Sequence, residues 1–206
     1  MGKVTSNLLK GLSFLAIKYG STLLDELFVI GIDIIKEKFS NSSSKKDELK
    51  VIGEYLEALV SIWAHASKVD GKIQVEEVKL IEKFSDTIAE DLIKKDVREK
   101  EILKVNVTFD KIKANEIKKR IKSIFDNPLP FTSIRDYAID NGLEVVFYKQ
   151  AILILAADGK LTKQEKVFID SLSKELNISS IDKTLIDSKL LENIKGGKGS
   201  LLSIFH

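Results

Sequence analysis

Both prolines of this 206-residue chain fall in one tetrapeptide, Asn127-Pro128-Leu129-Pro130. Proline lacks the amide hydrogen that an interior helical residue donates, and its ring collides with the preceding turn, so this stretch must break any helix. Elsewhere nothing of that kind stops the chain, which is rich in Lys, Glu, Leu and Ile, three of them strong helix formers. Apolar residues recur at helical spacing. Ile52, Leu56, Leu59, Trp63 and Ala66 step by four and three, as do Leu143, Phe147, Gln150, Ala151 and Ile154. VNVTFD at 105–110 alternates, but it is too short and isolated to build a sheet. The expected fold class is all-α, a helical bundle.

Turn signals divide the pattern. Residues 1–39 read as two amphipathic helices hinged near Gly20, and SNSSSKKD at 40–47 reads as a polar linker with Ser44 and Asp47 placed as a capping pair. A helix ends at Asp70-Gly71, a second covers about 75–89, and others are predicted near 91–103, 110–125 and 132–140. After Asp158-Gly159 comes a helix carrying Phe168, Leu172 and Leu176, then a last one from Ser179 or Ser180. GGKG at 196–199 leads into the apolar tail LLSIF. The apolar run from Leu8 to Ile35 is interrupted by Lys10, Lys18, Asp25, Glu26 and Asp33, so it is too short between charges to span a bilayer. It also lacks the layout of a cleavable signal, and the expected location is cytoplasmic, with the inner membrane face as the alternative.

Composition removes several chemistries. There is no cysteine, which excludes disulfides, thiolate nucleophiles and thiolate metal sites. The two histidines, His65 and His206, are far apart in sequence, and a net charge of +2 gives no global field to gather nucleic acid. No serine sits in a nucleophile elbow and no glycine-rich loop follows a strand. The expectation is a protein without enzymatic activity.

One motif resembles a metal site. Asp158-Gly159-Lys160-Leu161 with Glu165 matches the second half of a calcium loop, and Asp70-Gly71-Lys72-Ile73 with Glu77 repeats it 88 residues earlier. At that offset Leu80, Ile81, Phe84 and Ile88 fall on Phe168, Ile169, Leu172 and Leu176, so the economical reading is a duplicated helix–turn–helix. A complete loop needs oxygen ligands at its first and third positions. Those slots hold Ile154 and Ala156 in one copy, Ala66 and Lys68 in the other. The bland alternative accounts for every letter: glycine turns the chain, Leu161 or Ile73 plugs the core, and Thr162 with Glu165 forms a capping box. Gln74 occupies the first copy's cap slot and is a weaker cap.

Two copies of this A-x-D-G-x-[IL]-x-x-x-E-like pattern, best kept in LILAADGKLTKQEKVFIDSLSKELNIS, resemble the TerB tellurite-resistance family and the similar N-terminal domain of membrane-anchored J-domain co-chaperones. The resemblance covers 46–192, and the expected domains are 1–45 as arm and linker, 46–195 as the helical domain, and 196–206 as connector and tail. It implies a bundle whose two helix–turn–helix repeats are related by a pseudo-twofold. It further implies a stress-associated interaction module without catalysis, and an acidic surface for a divalent cation such as Ca²⁺. The carried-over ligands are Asp70, Glu77, Asp158 and Glu165, with Glu76 adjacent.

Partners are expected to be proteins rather than nucleic acid. The rival reading is a membrane-peripheral protein docking through its arm, and arm or tail also offers a route to a homo-oligomer. Lys111, Lys113, Lys118, Lys119, Arg120 and Lys122 form a basic cluster, but Ile112, Ile117, Ile121 and Ile124 between them read as a helix core, which makes the cluster a solvated face. His65 reads as a flank residue against solvent. Met1-Gly2 through Ser6 fits the loose myristoylation pattern.

Overall fold

A computed structural model describes residues 24–35, 37–38, 45–71, 73–87, 110–157 and 161–196, and every regular element among them is helical. In chain order these are α1 (24–35), α2 (Lys45–Ser67), α3 (75–87), α4 (Asp110–Asp126), α5 (Phe131–Asn141), α6 (Glu144–Leu155), α7 (Lys163–Glu175) and α8 (Ser180–Gly196). Gly20, Ser44, the expected helix at 91–103, Asp158-Gly159 and the tail beyond Gly196 lie outside the described residues. None of the described helices is long and apolar enough to cross a membrane.

Helices α2 and α6 are the centre. The sequence of α6, EVVFYKQAILIL, carries apolar residues all round, interrupted by Glu144, Lys149 and Gln150, and every residue from Val146 to Ala157 is buried. A helix apolar all round belongs inside a core rather than on its surface. It packs against α2, with α5, α7 and α8 around it, while α4 and α5 cover other faces of α2. On α2 the stretch from Ala58 to Ala64 is wholly buried, although its sequence suggests only one apolar stripe.

The second half of the arm belongs to this core. Leu24, Leu27 and Ile35 are buried, with Phe28, Ile30 and Ile34 packed against the same cluster. Four rings stack in succession from α1 through α2 and α6 to α5: Phe28 on Tyr55 at 5.5 Å, Tyr55 on Phe147 at 6.0 Å, and Phe147 on Tyr137 at 6.5 Å. Gly31 permits the closest approach, because a Cβ there would stand 2.1 Å from the Tyr55 hydroxyl oxygen. Phe84 brings in α3, meeting Trp63 edge-on at 4.5 Å and Phe28 at 5.6 Å.

The proline loop is held by one stripe of α2. Ser61 and His65, one turn apart, reach it, and Lys68, just past the end of α2, reaches the last turn of α4 that leads into it. Leu129 N donates to Ser61 Oγ at 3.0 Å, His65 Nε2 bonds Leu129 O at 2.8 Å, and Lys68 Nζ donates to Phe125 O at 3.0 Å. A carbonyl only accepts, so Nε2 carries the proton. His65 is therefore half-buried and packed edge-on to Phe131 at 5.9 Å, not a flank residue against solvent. A loop with two prolines has few amides to donate, and these side chains satisfy the backbone groups that remain.

Candidate functional site

The sequence singles out two acidic turns, at Asp70-Gly71 with Glu77 and at Asp158-Gly159 with Glu165. At the second, Thr162 N donates to a Glu165 carboxylate oxygen and Glu165 N donates to Thr162 Oγ1 at 3.2 Å, the expected capping box. At the first, Gln74 N donates to Glu77 Oε2 at 2.8 Å, the same contact without a cap from the Gln74 side chain. Both glutamates are buried, at 2% and 5% exposure, which leaves little opening for a hydrated cation. Gly71 takes the left-handed conformation (φ 75°) that its turn requires. Asp70 is half-buried, Glu76 lies in the first turn of α3, and Asp158 is outside the described residues. Among the described residues, no three acidic or histidine side chains gather as a ligand set. The geometry that is visible is that of helix capping.

At the 88-residue offset, burial agrees for Glu77 and Glu165, Ile81 and Ile169, Phe84 and Leu172, and also for Ser85 and Ser173. Each of these serines donates to a carbonyl of its own helix, Ser85 to Ile81 O at 2.7 Å and Ser173 to Asp170 O at 2.9 Å. The C-terminal turn of α7 has Asn177 at φ 55°, with Ile178 N on Ser173 O at 2.8 Å and Asn177 N on Lys174 O at 3.1 Å. Those two bonds and the left-handed asparagine make a Schellman cap.

Ile73 departs from expectation. Leu161 packs against the core as a plug, whereas Ile73 is 44% exposed. It stands at the mouth of a groove of about 550 Å³ between α3 and α4. That is the range of sites that take a ligand or a peptide segment. Ile81 and Ile121 form its floor, Val78 and Phe125 its walls, and Glu82, Asp86, Lys118, Lys122 and Asp126 its rim. The Ser85 hydroxyl also faces it, but its hydrogen goes to Ile81 O, so the floor is apolar in effect.

The rim charges are mostly paired with each other. Lys118 bridges the groove to Asp86, and Lys122 meets Asp126 at 3.2 Å one turn along α4. Glu82 makes no ion pair among the described residues. Lys119 and Arg120 are exposed while Ile121 and Ile124 are buried, which agrees with a solvated basic face on a helix core. Nothing in the linear pattern marks the groove, because α3 and α4 are separated by the whole stretch 88–109.

A second cluster joins α8 to α6 and α7. Tyr148 Oη donates to Asp187 Oδ1 at 2.7 Å, and Lys183 Nζ sits 2.6 Å from Asp187 Oδ2 and 3.1 Å from Asp170 Oδ1. Burial raises the Tyr148 hydroxyl well above the ordinary tyrosine value, and Asp187 adds to it. For Lys183 burial acts downward, but the two carboxylates outweigh it and hold the ammonium charged. One ammonium shared by two carboxylates, one of which also accepts from Tyr148, pins α8 to α6 and α7.

No family model matches the chain, and neither a curated protein nor a solved structure does.

Proposed function

We propose that the chain is a non-enzymatic helical interaction module, and that it receives an apolar segment of a protein partner in the groove between α3 and α4. The observation that carries this reading is the exposure of Ile73 and Val78 over a floor of Ile81 and Ile121. Apolar surface left open above an apolar floor and edged by charges is the usual form of a helix- or peptide-receiving groove. What favours a TerB-like relationship, and with it a role in stress response, is that Glu77 and Glu165 are both buried and each accepts from the amide of the residue just ahead of its helix. A weakly held divalent cation at the acidic turns has less support, since both glutamates already cap helices.

The test is affinity capture with the native chain and with Val78→Asp. Val78 is exposed at 37%, so the substitution is expected to leave the melting temperature within about 2 °C while it places a charge inside the groove. Loss of a bound protein from the variant alone is the expected result. Identical captured sets from both proteins would overturn the reading.

A further inference from the structure

The walls of the groove constrain the form that an occupant takes. Its lining runs from Val78 to Asp86 on α3 and from Lys118 to Asp126 on α4, and Lys118 is paired with Asp86, so the two helices pass antiparallel. Each wall extends roughly 12 Å along its axis, the length of about two helical turns. Both walls are helical, so their backbone groups along this stretch are bonded within their own helices. The Ser85 hydroxyl is committed too, donating to Ile81 O at 2.7 Å. Such walls offer no strand edge to an extended peptide. A segment seated there in extended form would bury amides and carbonyls against aliphatic side chains with nothing to bond them. A helix carries its backbone bonds with it and presents only side chains to the floor.

Charge on the rim adds a second constraint. Lys118 is held by Asp86 and Lys122 by Asp126, while Glu82 has no ion pair among the described residues. Glu82 stands one turn from Val78 and one turn from Asp86, at the middle of the α3 wall. Its neighbours Lys79 and Lys83 lie outside the groove lining. The unmatched charge on the groove is therefore negative and central.

We propose that the partner enters as an amphipathic helix of about two turns, with its apolar stripe on Ile81 and Ile121 and a lysine or arginine of its flank on Glu82. This rests on the groove being a docking surface.

The probe is a phage-displayed library of random peptides about 16 residues long, enough for four turns, panned on the full-length protein. Enriched peptides are labelled with a fluorophore and titrated by anisotropy against the native protein, Val78→Asp and Glu82→Lys. Both substituted side chains are exposed, so the fold is kept. Peptides that occupy the groove are those whose binding Val78→Asp abolishes. They are expected to carry apolar residues three and four apart with a lysine or arginine beside them. A proline at the centre of such a peptide should weaken binding more than about tenfold, and Glu82→Lys should weaken it about fivefold. Replacing the peptide's cation by glutamate should restore binding to the Glu82→Lys protein. Groove-dependent peptides that tolerate the proline, or that bind Glu82→Lys as tightly as the native protein, overturn this inference and leave the docking surface standing. If no enriched peptide depends on Val78, both readings fall.

Discussion

Gln150 is the residue on which most depends. It is fully buried on a mostly apolar helix, and its amide bridges the indole of Trp63 to the carbonyl of Leu24, tying α6 to α2 and α1 at once. A leucine of similar volume would leave the Trp63 indole N–H buried and unpaired, and would remove the second bond on the Leu24 carbonyl. Gln150→Leu is expected to cost about 2–3 kcal/mol, read as a lower midpoint in urea unfolding with an unchanged slope. Tyr55 is the opposite case. Its hydroxyl is buried against Gly31 and has no hydrogen-bond partner among the described residues. Tyr55→Phe removes a desolvated polar group and keeps the stacked ring, so stability should be unchanged or rise by up to about 1 kcal/mol. A loss above that would show that the hydroxyl is satisfied. These roles were not legible in the sequence, where Gln150 and Tyr55 read as ordinary members of a helical pattern. What distinguishes them is the residue each meets 87 positions or a whole helix away.

At the scale of elements, the best-read feature is the start of α7. Thr162 followed by Glu165 is a local motif, closed within four residues, and the structure forms both of its bonds. Thr162→Ala is expected to cost about 1 kcal/mol. Gln74→Thr should gain about 0.5–1 kcal/mol by completing the box that Glu77 half-forms at α3. Thermal melts of the two variants should therefore move in opposite directions. An unchanged melt for Gln74→Thr would mean that the α3 turn cannot take the cap geometry. Ile73 and His65 show the limit of the same reasoning. Each was assigned by its place in a pattern, Ile73 to the core and His65 to solvent. Both assignments reversed because the neighbours that decide exposure, α4 for one and the proline loop for the other, arrive from far along the chain.

For the whole molecule, the tyrosines couple ionisation to folding. Tyr55, Tyr137 and Tyr148 all have hydroxyls raised by burial, Tyr137 to about 12 and the other two higher still, with the charge of Glu54 adding to Tyr137. The unfolded chain ionises at the ordinary value of 10.0. Folding therefore favours the protonated form. Its contribution is complete below pH 10 and lost as pH climbs through the folded values. Alkaline unfolding is expected to begin above about pH 10, with tyrosinate absorbance and loss of helical circular dichroism rising together. Ionisation of these three near pH 10 with the helices intact would contradict their burial.

What the sequence determined by itself is whatever closes within a few residues: the helical class, the break at the two prolines, the capping box, and the left-handed glycine at position 71. Each follows from backbone geometry and the reach of one side chain. Long apolar periods also carried the positions of α2, α4, α5 and α7 to within a residue or two. Tertiary structure alone decided which faces are covered. It made α6 the interior helix, drew half of the arm into the core through Leu24 and Phe28, and turned Ser61 and His65 into a clamp on the proline loop, with Lys68 on the end of α4 that precedes it. It also left Ile73 and Val78 open beside α4. The reason is that burial belongs to the space between two elements, and no periodicity within one element specifies which other element will fill it.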